Sequence, residues 1–278
     1  MTNFKKMHGL GNDFVIIDTR HEIFSPSLDL IVKLSNRRTG IGFDQLVLIH
    51  ESLDKISDLK ITIFNADGSE AESCGNASRC VGKLILNELG KENIIIETKG
   101  GLVDIEESNG NISVDMGLAK FNWDEIPLSH PQDSSALRIS QGYLKGGFSV
   151  NIGNPHVVFF SDNLNESSLI KDCESVSKSK IFPKGVNISV VKVISRNLLE
   201  LVVYERGCGF TPACGTAACA SLVTSYKLNY CSRNAKVLMP GGELEVEFLS
   251  DGHVLMTGPV TTVYLSLIHI SEPTRRYS

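Results

Sequence analysis

The sequence is short of the features that mark several large classes of protein. It has no basic tract, its formal net charge is −5 over 278 residues, and aromatic residues make up 7% of it, so nucleic acid is not an expected partner. No apolar run reaches the length of a membrane span, and the N-terminus lacks the apolar stretch of a secretion signal. We therefore expect a cytoplasmic protein with neither a membrane nor a nucleic-acid partner.

Cysteine occurs seven times, but no two cysteines have the Cys-x-x-Cys spacing of a zinc ribbon or a redox site. The chain also has no phosphate-cradling Gly-rich loop and no His-rich metal motif. We therefore expect neither a cofactor nor a metal. For Cys80, Cys173, Cys219 and Cys231 we expect burial as small apolar side chains.

What the sequence does contain is a weak internal repeat. Cys74-Gly75-Asn76-Ala77 matches Cys214-Gly215-Thr216-Ala217 at an offset of 140 residues. Four shorter matches follow the same order at offsets of 140 to 142 residues: Asn12 with Asn154, Gln45 with Asn187, Ile63 with Val203, and Gly100 with Gly241. This series predicts a duplication, with one domain over residues 1–118 and a second over 119–260. A terminal strand and a disordered or vector-derived tail would occupy 261–278.

Each half is rich in β-branched runs between turn residues, and one amphipathic helix follows each Cys-Gly motif. We predict helices from Ala77 to a stop at Gly90, over 218–226, and around 27–37. The predicted strands are 15–17, 45–49, 59–64, 93–97, 157–160, 188–193, 199–204 and 241–248. The pattern predicts an α+β fold of two pseudo-symmetric domains, each a curved mixed β-sheet or barrel wrapped around a central helix.

A Cys-Gly pair at the start of a helix has a definite chemistry. Backbone N–H groups there can hold a carboxylate, and the helix dipole favours a thiolate by about 0.3–2 kcal/mol. We therefore expect both thiol pKa values to fall from about 8.5 toward neutrality. If Cys74 and Cys214 face each other across one substrate carbon, a thiolate can remove the α-proton and a thiol can deliver one to the opposite face.

Four separated motifs resemble one known family. Asn65–Asn76 is similar to the first signature of the diaminopimelate epimerases, and Glu205–Thr216 is similar to the second. His8–Phe14 and Gly153–His156 also fit, so that the resemblance covers roughly residues 3–264. It implies the fold described above and a two-base epimerisation of L,L-diaminopimelate to the meso form, independent of pyridoxal phosphate, in lysine and peptidoglycan precursor synthesis.

The resemblance also implies roles for individual residues. Cys74 and Cys214 correspond to the acid–base pair, and Tyr264 matches a residue near the family's dimer contact, which implies a homodimer. Glu205 and His156 correspond to groups that tune the cysteine pKa values, and Glu205 also suits a substrate ammonium group. The substrate-binding positions, which include the backbone cradle for the reacting carboxylate, are Asn12, Gln45, Asn65, Gly75, Asn76, Asn154, Asn187, Glu205, Arg206, Gly215 and Thr216.

Two alternatives stay open at this point. The first is another amino-acid racemase on the same scaffold, such as a proline racemase-like enzyme, although those typically carry His where this chain has Asn76. Isomerases of the phenazine-biosynthesis type lack the cysteine pair, which argues against them. The second is a thiol redox or metal-binding protein that uses Cys208, Cys214 and Cys219.

Overall fold

A computed structural model describes residues 1–21, 24–53 and 55–268. These residues form four α-helices and 19 β-strands, so the predicted α+β class is confirmed. By contacts between Cα atoms the chain divides into two compact units. The first comprises Met1–Glu106 and Val260–Ser278, and the second comprises Glu107–Pro259. The predicted domain boundaries at residues 118 and 260 rest on the sequence repeat and stay a prediction. The bounds of the two units are defined differently, by contacts between Cα atoms.

The first unit contains a mixed sheet whose neighbouring strands run in the order β19–β1–β2–β3–β4–β6–β7. The pairs β2–β3 and β4–β6 are parallel, and the others are antiparallel. The elements are β1 (Thr2–Gly9), β2 (Asn12–Asp18), α1 (Leu28–Ser35), β3 (Gln45–Glu51), β4 (Leu59–Asn65), β5 (Glu70–Ala71), α2 (Gly75–Leu89), β6 (Asn93–Thr98), β7 (Gly101–Ser108) and β19 (Thr261–Ile268).

Helix α2 is the element that carries the first cysteine motif. Its buried positions include Ala77, Val81 and Ile85 at four-residue spacing, which is the period of a helix face turned to the core. The helix ends at Gly90, whose φ of 62° is the left-handed conformation that glycine adopts without steric cost. Helix α2 packs against β1, β2 and β6.

The second unit repeats the pairings that β1–β2–β3–β4–β6–β7 make in the first. Its strands follow the order β11–β12–β13–β14–β16–β17, and in both series the second and fourth pairs are parallel. β18 and β8 continue the sheet beyond β17. The elements are β8 (Asn111–Leu118), β9 (Ile139–Gln141), β10 (Leu144–Gly146), β11 (Phe148–Asn151), β12 (Pro155–Phe160), α3 (Glu166–Ser177), β13 (Asn187–Ser195), β14 (Leu198–Glu205), β15 (Gly209–Thr211), α4 (Gly215–Lys227), β16 (Asn234–Met239), β17 (Gly242–Phe248) and β18 (His253–Gly258).

Helix α4 is almost entirely buried and packs against β11, β12, β13, β14, β16, β17 and β18. Its interior positions carry Ser221, Thr224 and Ser225, whose hydroxyls donate to backbone carbonyls one turn back at 2.6–2.8 Å. These bonds satisfy polar groups that would otherwise be costly to bury. The sheet of the second unit therefore wraps around its helix.

The eight predicted strands and the three predicted helices are confirmed, with α1 shorter than the expected range and capped by the side chain of Ser27. Helix α3 was not predicted, although Leu169, Cys173 and Val176 bury one helical face behind an Asn165 cap. Strand β19 lies in the range for which a terminal strand was predicted, and residues 269–278 of the predicted tail lie outside the described residues. Within the described ranges no helix is long and apolar enough to cross a membrane.

Candidate active site

Cys74 lies where the chain turns from strand β5 into helix α2. Its backbone is extended (φ −152°, ψ 109°), and its carbonyl oxygen accepts the first helical hydrogen bond, from the Ser78 N–H at 2.9 Å. The side chain is partly exposed. The N–H groups of the first helical turn have no carbonyl four residues back within the helix, so Cys74 stands beside a potential carboxylate-binding site.

Two asparagines of the predicted set surround Cys74. The Cys74 Sγ atom lies 4.0 Å from Asn12 Oδ1, and Asn76 Nδ2 donates to the same oxygen at 3.1 Å. Sequence reasoning missed the two residues that hold these amides. Arg79 Nη2 donates to Asn76 Oδ1 at 2.7 Å, and Asn12 Nδ2 donates to Asp44 Oδ2 at 3.0 Å. The first unit therefore brings Cys74, Asn12 and Asn76 together.

Gln45 and Asn65 form a second cluster of the first unit. They are opposite each other in the register of β3 and β4, and Gln45 Nε2 donates to Asn65 Oδ1 at 2.9 Å. Asn65 Nδ2 donates in turn to the Ser69 hydroxyl at 3.0 Å. Among the described residues the buried Gln45 Oε1 has no hydrogen-bond partner. An acceptor left in this way is suited to a donor group on a ligand.

Cys214 occupies the equivalent position in the second unit, directly before helix α4. Its backbone is extended in the same way (φ −142°, ψ 116°), and its carbonyl oxygen accepts from the Ala218 N–H at 3.1 Å. Unlike Cys74, it is buried, with 7% of its surface exposed.

Thr216 links Cys214 to a buried histidine. Its Oγ1 lies 3.4 Å from Cys214 Sγ and 2.9 Å from His156 Nε2, which also lies 2.9 Å from Asn154 Oδ1. Because a carbonyl oxygen only accepts, His156 donates from Nε2, and the Thr216 hydroxyl can then donate to the sulfur. Burial lowers the pKa of His156 to about 3, so that its ring is neutral at physiological pH.

The predicted lowering of the thiol pKa is wrong for Cys214. Burial raises the pKa of this thiol well above its ordinary value, and the negative charge of Glu205 adds to the effect. Hydrogen bonds from Thr216 and the Ala217 N–H oppose these two causes without cancelling them. Glu205 is itself held by the Thr211 hydroxyl, which donates to Oε1 at 2.6 Å. The helix dipole favours a thiolate, but the cost of burying that charge outweighs the dipole at Cys214.

Asn187 and Arg206 form the remaining cluster of the second unit. The Arg206 backbone N–H donates to Asn187 Oδ1 at 2.9 Å, and its guanidinium donates from Nη1 to the Lys184 carbonyl at 2.5 Å. The Arg206 side chain crosses over Gly185, where an added Cβ would lie 2.6 Å from Arg206 Cδ. Gly185 therefore leaves room for the arginine stem, which supports a fixed guanidinium direction.

The metal-binding alternative finds no geometric support in the described residues. They contain no group of three or more His, Cys, Asp or Glu side chains that could hold a metal ion. Of the three cysteines considered, Cys208 is exposed whereas Cys214 and Cys219 are buried.

Comparison with known sequences identifies one family. The profile described as Diaminopimelate epimerase matches residues 4–122 and 148–263. The chain is 40% identical over 258 residues to the diaminopimelate epimerase of Erythrobacter litoralis (strain HTCC2594), across 92% of this chain and 93% of that protein. It is also 40% identical over 262 residues to the diaminopimelate epimerase of Zymomonas mobilis subsp. mobilis, across 94% and 95% of the two chains.

Solved structures show the same fold at much lower identity. A phenazine biosynthesis protein of Bacillus anthracis matches with a TM-score of 0.67 and 17% identity, over 97% of this chain and 99% of that one. A probable proline racemase of Agrobacterium radiobacter K84 matches with a TM-score of 0.67 and 16% identity, over 98% and 94%. At these identities the likeness concerns the fold alone.

Proposed function

The chain belongs to the diaminopimelate epimerase family, and we propose that it interconverts L,L- and meso-diaminopimelate as an isomerase of lysine and peptidoglycan precursor synthesis. The observation that carries the proposal is the pair of cysteines at equivalent helix starts. A polar side chain lies beside each sulfur: Asn12, held by Asn76, beside Cys74, and Thr216 beside Cys214. A proline racemase-like activity on the same scaffold is the competing reading.

In the proposed reaction one cysteine is a thiolate and the other a thiol. The thiolate removes the α-proton, the electron pair is held by the adjacent carboxylate, and the thiol delivers a proton to the opposite face of the α-carbon. Protons and charge balance without an added cofactor, so the reaction is independent of pyridoxal phosphate. The raised pKa of Cys214 supports the thiol form of that residue in the free enzyme.

Substrate binding follows from the same two helix starts. The backbone at Gly75 and Asn76 and at Gly215 and Thr216 would hold the reacting carboxylate through N–H groups. The distal end of diaminopimelate carries a second carboxylate and a second ammonium, which suit a guanidinium and amide or carboxylate oxygens respectively. We assign the distal end to Asn12, Gln45, Asn65, Asn154, Asn187, Glu205 and Arg206, and the tuning of Cys214 to His156 and Glu205.

Two further parts of the proposal concern the cell rather than the site. The composition supports a cytoplasmic enzyme, and Tyr264 supports a homodimer through its match to a family dimer residue. Tyr264 lies on β19 and makes an edge contact with Phe4, with ring centroids 6.0 Å apart.

The test is exchange of the α-hydrogen in deuterated water with L,L-diaminopimelate as substrate. We expect deuterium in the meso product, and a fall of about 10²- to 10⁴-fold in epimerisation for Cys74→Ala and for Cys214→Ala, since each removes one acid–base group. Either variant retaining the wild-type rate would contradict the two-base assignment. Racemisation of proline without turnover of diaminopimelate would favour the competing activity.

A further inference from the structure

A directed chain of hydrogen bonds runs past Cys74 in the first unit. Arg79 Nη2 donates to Asn76 Oδ1 at 2.7 Å, Asn76 Nδ2 donates to Asn12 Oδ1 at 3.1 Å, and Asn12 Nδ2 donates to Asp44 Oδ2 at 3.0 Å. The residues come from α2, β2 and the segment before β3, so that folding of the unit is needed to assemble the chain.

The two ends of this chain fix its direction. A guanidinium can only donate hydrogen bonds, and a carboxylate can only accept them. Each asparagine between them must therefore turn its oxygen toward Arg79 and its nitrogen toward Asp44. An amide flip at either position would place two donors or two acceptors against each other and leave polar groups unsatisfied, which is unfavourable.

Both ends are themselves held in place. Arg79 is fully buried, and the backbone of Gly9 lies so close that an added Cβ would be 2.9 Å from Arg79 Nη2. Asp44 accepts from the Asp13 N–H at 3.0 Å and pairs with Arg37 Nη2 at 2.6 Å. Asp44 cannot turn away without breaking contacts outside the chain, and the close backbone at Gly9 restricts movement of Arg79 Nη2.

The direction has a consequence for the cysteine. Because Asn12 must present Oδ1, the atom that lies 4.0 Å from Cys74 Sγ is an acceptor. An acceptor beside sulfur stabilises the S–H form, and a donor there would stabilise the thiolate.

We propose that Arg79 and Asp44 are positioning residues, which act through Asn76 and Asn12 to keep an acceptor on Cys74 and so hold this thiol protonated until substrate binds. The inference rests on the proposed function for its importance in catalysis, but the orientation itself concerns the enzyme without substrate. Other charged or titratable groups on the elements around this thiol are Lys6 and His8 on β1, Asp13 on β2, Arg37 beside Asp44, and Glu72 and Cys80 flanking the cysteine.

The first experiment follows alkylation of Cys74 by iodoacetamide against pH, resolved by peptide mass spectrometry in the absence of substrate. Asp44→Asn is tested in an Arg79→Gln background, because either end alone fixes the direction of Asn12. Both new amides can donate or accept, which frees Asn12 and Asn76 to turn over together and place the Asn12 nitrogen beside sulfur. We expect the midpoint of Cys74 alkylation to move to lower pH.

The matched control is Glu72→Gln, which removes an exposed carboxylate two residues before Cys74 and leaves the chain intact. An equal shift in the control and the double variant would show a charge effect and would overturn the proposal, as would an unchanged midpoint in the folded double variant. Because no substrate is present, this outcome is independent of whether the protein epimerises diaminopimelate. If the alkylation midpoint shifts as expected but the wild-type protein does not turn over diaminopimelate, the proposed function is contradicted and the orientation of the amides is not.

The second experiment tests whether both ends act through the same two amides. Arg79→Gln replaces the donor-only guanidinium by an amide that can donate or accept. Because either end alone still fixes the direction, we expect Arg79→Gln and Asp44→Asn each to lower kcat/KM by less than about tenfold, and the double variant to lose clearly more than the product of the two effects. Losses that multiply in full would show that Arg79 and Asp44 act independently.

Discussion

The two helix starts use opposite means to present a polar side chain beside a cysteine. In the first unit a permanently charged guanidinium, Arg79, holds Asn76, and the group that reaches Cys74 is an acceptor, Asn12 Oδ1. In the second unit a buried neutral imidazole, His156, holds Thr216, and the group that reaches Cys214 is a hydroxyl able to donate. Two helix starts with the same backbone geometry thus give the same kind of side chain different electrostatic surroundings.

Under the proposed function, the difference would let the two cysteines act differently on the two stereoisomers. Burial and Glu205 raise the pKa of Cys214, whereas Cys74 is more exposed and faces an amide oxygen. Different groups therefore surround the two thiols, and each group can be changed separately. The following variants test the second unit, as the Asp44 and Arg79 variants test the first.

The largest effect is expected at Thr216. Thr216→Val keeps the shape of the side chain but removes the hydroxyl that can stabilise a Cys214 thiolate, and a hydrogen bond to a charged group is worth about 1.5–3 kcal/mol. We expect kcat to fall about 10- to 150-fold, as measured by deuterium incorporation, and Thr216→Ser to recover most of the loss. If Thr216→Val and Thr216→Ser lower kcat equally, side-chain packing and not the hydroxyl controls the rate. The two cysteines would then no longer differ in the way described above.

A smaller effect is expected in the pH dependence of stability. His156 stays neutral in the folded chain down to about pH 3, whereas an exposed histidine binds a proton below about pH 6.5. The unfolded state therefore binds more protons in this interval, and the free energy of unfolding falls by up to about 1.4 kcal/mol per pH unit as pH drops below 6.5.

Urea denaturation between pH 7 and pH 5 measures this slope above the range in which exposed carboxylates titrate. His156→Gln should flatten it, because glutamine keeps a donor and does not titrate. His50→Gln is a comparison and should flatten the slope by less, since burial also lowers the pKa of this partly buried side chain. If His156→Gln has the wild-type slope, His156 is not a neutral imidazole in the folded chain over this pH range, and this difference between the two cysteine surroundings is contradicted.

The smallest effect is expected at Glu205. Burial is the first cause of the raised Cys214 pKa and Glu205 the second, so Glu205→Gln lowers this pKa without restoring an ordinary value. Iodoacetamide should alkylate Cys214 faster at mildly alkaline pH in this variant. Glu200→Gln removes a carboxylate from the same strand, β14, and should leave the rate unchanged. Equal rates in all three proteins would exclude a direct influence of Glu205 on the thiol.

The sequence predicts much of the fold because each prediction depended on local information. Period-two and helical patterns, the Gly90 stop and the repeat of Cys74 at Cys214 are all readable within a few residues or as a fixed offset. Helix α3 followed the same rules, with its Asn165 cap and buried Leu169 and Cys173, and attention to that spacing would have found it.

The surroundings of the cysteines could not be predicted in the same way. Asn12 meets Asp44 across 32 residues and Asn76 across 64, and no local pattern encodes such contacts. The charge on a thiol depends on burial and on every nearby group at once. The helix terminus alone therefore predicts the wrong direction for the pKa shift of Cys214. Nothing in the local sequence distinguishes Arg79 from the other residues of helix α2.

The pairing of β1 with β19 has a consequence for how the protein is made. The ribosome releases the N-terminus first, so that strand β1 emerges long before residues 261–268 exist to cover its second edge. By then residues 107–259, the whole of the second unit, have already been synthesised. The nascent chain can therefore complete its second unit before its first. An uncovered strand edge, which readily pairs with other chains, persists until residues 261–268 have been made.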